Sequence, residues 1–161
     1  MTTARLNPRE LAPDAYTALA GVERYIHSCG LEQSLIELVK MRGSQINGCA
    51  FCLDMHSRDA RRLGETEQRL YLLNAWREAP GYSAREQAAL AWTECLTLVA
   101  SRGAPDAEYE ALTQQFSPIE IVNLTTLIGM INLWNRLAIA VRAQPRAGHA
   151  EQSAAHAPKA A

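Results

Sequence analysis

The chain has 161 residues, 48% of them apolar and 20% charged, with a formal net charge of −1. That is one domain's length, enough to bury a core without disulfide staples, and the near-neutral balance leaves no electrostatic footprint for nucleic acid. Four scattered cysteines, Cys29, Cys49, Cys52 and Cys95, are too few for a secreted disulfide framework.

The opening stretch MTTARLNPREL lacks the apolar centre of a signal peptide, so a cytoplasmic location is expected. Beyond it the pattern is helical almost throughout, with no run of alternating β-branched residues. A first helix opens near Pro13 and Asp14 and runs to about Ser28, where Gly30 breaks it. A second spans roughly Glu32 to Gln45, with an apolar stripe of Leu35, Leu38, Val39, the stem of Arg42, and Ile46. Asn47 and Gly48 interrupt the chain. A third helix starts around Cys49 and ends at Leu63, with Gly64 as its stop signal. A fourth follows from Glu65 or Thr66 to about Glu78, closed by Pro80 and Gly81.

Ser83 and Glu86 form a capping box that opens a fifth helix, to about Ala100, and Gly103 stops it. Pro105 and Asp106 start a short sixth. Ser117, Pro118 and Glu120 start the last, which runs to about Arg142. Apolar residues point nearly all round this helix, but Glu120, Asn123, Asn132, Asn135 and Arg136 lie inside it and argue against a membrane span. The expectation is a central helix buried on most sides, partly by a second copy of the chain. The tail from Ala143 is Ala/Pro-rich and unpatterned, and is expected to be disordered. The expected architecture is all-α: a single-domain bundle of about six to seven helices over residues 1–142, oligomeric, with a tail over 143–161.

The chemistry concentrates in NGCAFCLDMH, Asn47 to His56. At helical spacing Cys49, Cys52 and His56 share the inward face of the third helix with Leu53, Ala60 and Leu63, while Asp54, Ser57, Arg58, Arg61 and Arg62 fall opposite. The cysteines sit in the first turn, where open N–H groups and the helix dipole favour a thiolate. His56 follows Cys52 by one turn, where it can take or give a proton. A thiolate attacking a peroxide becomes a sulfenic acid, and a second thiol three residues away condenses with it to a disulfide that an outside reductant reopens. Two other readings stay open. The cysteines and His56 could hold zinc or iron with Glu37 or Asp59 completing the set, or all three could be core residues. Cys29 and Cys95 fit a core role.

The stretch ELVKMRGSQINGCAFCLDMHSRDARRLG, Glu37 to Gly64, resembles the core of the carboxymuconolactone decarboxylase superfamily, and more narrowly its alkylhydroperoxidase AhpD-like branch. A glutamate twelve residues before CxxCxxxH carries the likeness, which LYLLNAW, SAREQAALAWTECLTL and INLWNRLA extend over roughly Leu35 to Arg142. The resemblance implies an all-helical antioxidant peroxidase or disulfide reductase. In it Cys52 is the attacking thiol, Cys49 the resolving thiol, and His56 and Glu37 a proton relay. It also implies assembly as a trimer or hexamer, and a dithiol donor, a lipoyl-bearing or thioredoxin-like protein, in place of a bound cofactor. In two respects the chain reads differently. The best-known peroxidase members carry a histidine between the cysteines, where this chain has Phe51, which the helical wheel puts on the outer side. Glu37 lies across from the apolar stripe, so by pattern alone it reads as solvated; the spacing of the resemblance brings it into the site. The alternatives are a lactone decarboxylase, which has no need of a CxxC pair, and a non-enzymatic helical oligomer that binds metal or senses oxidation.

Overall fold

The computed structural model describes residues 3–145. Most of the tail expected to be disordered therefore lies outside the described residues, and 143–145 carry no regular structure. Among the described residues there are nine helices and no strand: α1 (Pro8–Leu11), α2 (Pro13–Ser28), α3 (Gln33–Asn47), α4 (Ala50–Arg62), α5 (Glu67–Leu72), α6 (Ala84–Thr97), α7 (Val99–Arg102), α8 (Asp106–Thr113) and α9 (Pro118–Val141). A single 3-10 turn, Leu73–Ala75, follows α5.

The local signals act as their chemistry requires. Both capping boxes form: Ser83 and Ser117 each pair reciprocally with the glutamate three residues on, Glu86 and Glu120. Pro118 occupies the first turn of α9, where no N–H partner is lost. Gly48 ends α3 in the left-handed region at φ 67°, which lets the chain reverse into α4 after only two residues.

Two of the expected helices are shorter than their sequence pattern. The fourth stops at Leu72 and passes into the 3-10 turn, and the fifth breaks at Leu98 before restarting as α7. One buried carboxylate gathers side chains from just past both interruptions. Glu94, on α6, accepts from Arg42 Nε and Trp76 Nε1, each at 2.9 Å, from Arg77 Nη1 at 2.5 Å and from Arg102 Nη1 at 3.4 Å. Trp76 and Arg77 follow the 3-10 turn, and Arg102 closes α7.

The core is centred on α3 and not on the last helix. Leu35, Ile36, Glu37, Leu38, Val39, Lys40, Met41, Gly43 and Ser44 are all buried. One side of α3 packs with Ile26, Leu124 and Ile128, and another with Leu73, Trp76 and Leu90. By contrast α9 is open along one side: Ile119 and Val122 are 61% and 59% exposed. It is long and apolar enough to cross a membrane by length and composition, yet its inward side carries buried Asn123, Asn132 and Asn135, each hydrogen-bonded within the fold.

Burial alone would raise the Glu94 carboxyl, but hydrogen bonds from Trp76, Arg77 and Arg42 outweigh it and hold the group below its usual value of 4.5. Its stabilisation is therefore complete above that pH and fades as acid protonates the folded carboxylate. Replacing Glu94 by Ala strands the Arg42 guanidinium and the Trp76 N–H, and should cost about 3 kcal/mol in urea unfolding at neutral pH. The variant should also lose less stability than the wild type on acidification below 4.5.

Candidate active site

The turn between α3 and α4 places the cysteines. Cys49 N–H donates to Ser44 O at 3.0 Å and Gly48 N–H to Gln45 O at 3.3 Å, so Cys49 becomes the N-cap of α4 and Cys52 falls in its first turn. Both side chains are buried, at 1% and 2% exposure, against Ile131 of α9, with Phe51, Trp134 and Ala138 packed alongside. The two sulfurs are 2.9 Å apart and both are free thiols. At that separation one proton serves both.

The two thiols are pulled in opposite directions. A hydrogen bond from Cys52 lowers the Cys49 pKa from 9.0 to about 6, against the opposing effect of burial, with further help from the backbone N–H groups of Cys52 and Phe51 at the helix start and from the Asn135 side chain. Cys52 is pushed up, first by holding that same hydrogen bond and then by burial. The helix start thus favours a thiolate on the pair, with the downward pull on the N-cap cysteine.

Cys52, His56 and Glu37 face a common cavity of about 970 Å3, which Cys49 does not line. His56 Nδ1 and Glu37 Oε2 are 2.8 Å apart, and both residues are 5% exposed. Pattern alone had Glu37 solvated; the spacing carried by the resemblance located it correctly. The reason is that α3 has almost no outer face beyond its first turn. Gln33, Glu37, Lys40 and Ser44 follow one another at i, i+4, i+7 and i+11, which makes a polar stripe opposite the apolar one, and the protein buries that stripe from Glu37 on, with Gln33 exposed at the helix start. That stripe was the overlooked signal.

It also carries a second polar group into the cavity wall. Lys40 is 3% exposed and pairs with Glu23 Oε2 at 2.9 Å, while Glu23 Oε1 accepts from Trp134 Nε1 at 2.7 Å. His27 Nε2 lies 3.3 Å from Lys40 Nζ and its Nδ1 lies 2.7 Å from Gln33 Oε1. The rest of the wall is mainly apolar, including Leu6, Met55, Leu63, Trp134 and Leu137.

Phe51 is half-buried and lines the cavity beside Cys52, so it does not stand on the outer side of α4. Among the described residues, the metal-ligating atoms that converge within 4.8 Å are those of Glu37, His56 and Asp59, and neither cysteine joins them. The mixed sulfur–nitrogen set considered from sequence is thus not assembled. Cys95 is fully buried, and half-buried Cys29 bonds the Ile26 carbonyl, both away from this site.

Residues 10–94 match the model of the carboxymuconolactone decarboxylase family. The uncharacterised protein YdfG of Bacillus subtilis is 42% identical over 137 residues, which cover 85% of this chain and 93% of that one. A crystal structure of an Agrobacterium tumefaciens protein of unknown function, provisionally named as the antioxidant defence protein AhpD, superimposes with a TM-score of 0.88. It is 44% identical and covers 91% of this chain and 100% of its own. The debrominase Bmp8 shares the fold, at a TM-score of 0.73 and 21% identity over 84% of this chain and 73% of its own.

Thiolate absorbance at 240 nm, followed against pH, should report one cysteine ionising near pH 6 instead of 9. Cys49→Ser should abolish that transition; a wild-type midpoint near 9 would refute the downward pull on Cys49.

Proposed function

The chain belongs to the carboxymuconolactone decarboxylase family, in its AhpD-like branch, and from that premise we propose that it is a thiol-dependent peroxidase that cycles Cys49 and Cys52 between dithiol and disulfide. The observation that carries this reading is the unbonded cysteine pair at 2.9 Å, with Cys52 opening into the same cavity as the Glu37–His56 pair.

In this reading the shared proton passes from Cys52 to Cys49 as a hydroperoxide enters. The freed Cys52 thiolate attacks the terminal oxygen, and the O–O bond breaks. The departing alkoxide takes a proton from the His56–Glu37 pair and leaves as the alcohol. Cys52 is then a sulfenic acid. Cys49, whose thiol ionises near pH 6, attacks the Cys52 sulfur and gives up its proton to the sulfenic oxygen. That oxygen departs as water and the disulfide closes. An external dithiol, on a lipoyl-bearing or thioredoxin-like protein, returns two electrons and two protons by thiol–disulfide exchange.

Cavity access supports Cys52 as the attacking group, since Cys49 has no face toward the cavity. Decarboxylation of a lactone, the reaction from which the family takes its name, would leave the pair idle. Phe51 replaces a second proton carrier with an apolar ring beside Cys52, so Glu37 and His56 carry all proton traffic. The exposed apolar side of α9, with Ile119 and Val122, supports assembly as a trimer or hexamer.

Purified protein should consume an organic hydroperoxide when supplied with a dithiol protein, and Cys52→Ser should abolish turnover; unchanged turnover in that variant rejects the proposal. Cys49→Ser should stop after one equivalent, with a sulfenic acid that dimedone traps. Glu37→Gln should lower kcat by about 10²-fold while leaving the fold intact by circular dichroism. Light scattering should give a mass that is a multiple of three chains.

A further inference from the structure

Behind the cysteine pair, outside the cavity lining, lies a set of polar side chains that this reaction scheme does not use, buried at Ser44, Asn132 and Asn135 and reaching the surface through Asn47 and Arg136. Asn135 is fully buried on α9, and Ser44 is fully buried on α3. Asn135 Nδ2 donates to Ser44 Oγ at 3.0 Å, and Asn135 Oδ1 accepts from Asn47 Nδ2 at 2.9 Å. Asn47 Nδ2 also donates to Asn132 Oδ1 at 2.9 Å, and Arg136 Nη1 donates to that same oxygen at 3.1 Å. Asn132 Nδ2 meets Thr97 Oγ1 and the Ile128 carbonyl. Asn135 sits between Ile131 and Ala138 on the α9 face that packs against Cys49 and Cys52.

An amide can be turned end for end at little steric cost, so each orientation has to be forced by a neighbour. Here Arg136 forces it. A guanidinium can only donate, so Asn132 must turn its oxygen toward Arg136. That oxygen then requires the NH2 of Asn47. The Asn47 NH2 in turn requires the oxygen of Asn135, which leaves the Asn135 NH2 facing Ser44 and the sulfurs. The Ser44 oxygen is occupied as an acceptor, so its hydroxyl proton is released in the opposite direction. Serines and threonines elsewhere on these helices (Ser28, Ser57, Thr93, Thr126) give that proton to a carbonyl of their own preceding turn. Ser44 makes no such bond among the described residues, and its side chain acts to lower the Cys52 pKa.

We propose that Arg136, Asn132, Asn47, Asn135 and Ser44 form a one-way hydrogen-bond chain that presents an amide N–H and a hydroxyl to the Cys49–Cys52 sulfurs from the core side, and so holds the negative charge of the dithiol state on whichever sulfur carries it. Ser44 also accepts the Cys49 N–H through its carbonyl, and Asn135 lies on the α9 face packed on the pair, so both stand beside the sulfurs. Asn135 acts to lower the pKa of both thiols and Ser44 that of Cys52. The chain thus serves both halves of the cycle. Asn135 and Ser44 are the members next to the reacting sulfurs; Asn47, Asn132 and Arg136 are positioning residues. The inference rests on the dithiol reading only in taking the pair as redox-active.

The test needs neither peroxide nor protein reductant, so its outcome is separate from that of the turnover assay. Thiolate absorbance against pH, and the equilibrium between dithiol and disulfide in dithiothreitol buffers, are measured for wild type, Ser44→Ala, Asn135→Leu, Arg136→Met and the control Asn123→Ala. Ser44→Ala and Asn135→Leu should each leave about fivefold less thiolate at pH 6 and shift the equilibrium about fivefold toward disulfide. Arg136→Met should move both in the same direction but by less. Asn123 bonds Tyr25 and the Cys29 carbonyl on another part of α9, so its variant should match wild type in both. Wild-type pH profile and equilibrium in folded Ser44→Ala would overturn the proposal, as would an equal shift in Asn123→Ala. Should Asn135→Leu not fold, Ser44→Ala alone decides, because it removes one oxygen and little volume.

Discussion

Because α3 is enclosed on nearly every side past its first turn, the polar groups buried there cannot be left to water. A buried charge or amide without a partner costs several kcal/mol, and four polar side chains of this helix have recruited one from a different element. Lys40 takes Glu23 of α2, Glu37 takes His56 of α4, Ser44 takes Asn135 of α9, and Arg42 takes Glu94 of α6. These four pairings tie α3 to the helices that surround it. Two of them, Lys40–Glu23 and Glu37–His56, also line the cavity at Cys52. Structure and chemistry share one set of residues here, because the polar stripe of α3 has to be matched wherever it points.

The two-residue reversal after α3 then sets the reaction geometry. Gly48 in the left-handed region lets Cys49 cap α4 directly, which brings its sulfur to the open N–H groups of the first turn and to within 2.9 Å of Cys52. A residue with a side chain at Gly48 would strain that conformation. The sulfurs have two environments. Toward the cavity lie an imidazole and a carboxylate 2.8 Å apart; toward the core lie an amide and a hydroxyl bonded to each other. In the proposed cycle the groups that change protonation state are thus the ones on the cavity side.

Family membership and chemistry are separate statements for this fold. The Bmp8 debrominase shares the architecture at low identity, so the bundle itself does not name a reaction. What a reaction on this chain would meet is what faces the cavity: a wide, mainly apolar wall, the Lys40–Glu23 pair, and a phenyl ring at Phe51 next to the sulfur. An apolar neighbour raises the cost of leaving charge on Cys52, which matches the opposite pulls on the two thiols, up on Cys52 and down on Cys49.

Local chemistry was legible in the amino-acid sequence by itself. It marked the capped starts at Ser83 and Ser117, the glycine stop at Gly48, the all-helical class, and one helix face that carries Cys49, Cys52 and His56. Each of these depends on residues within about one or two turns of each other, where spacing alone decides which side chains meet. Only the tertiary structure decided what depends on enclosure. It put α3 at the centre and left α9 with an open side. It buried Glu37 against its own periodicity, because hydrophobic patterning assumes that a helix has a wet face and α3 has almost none past its first turn. It ended α5 early, broke α6 from α7, and gathered side chains far apart in sequence on Glu94. And it set the two sulfurs 2.9 Å apart and pulled their pKa values in opposite directions, an outcome of the donors around each sulfur that no spacing of letters contains.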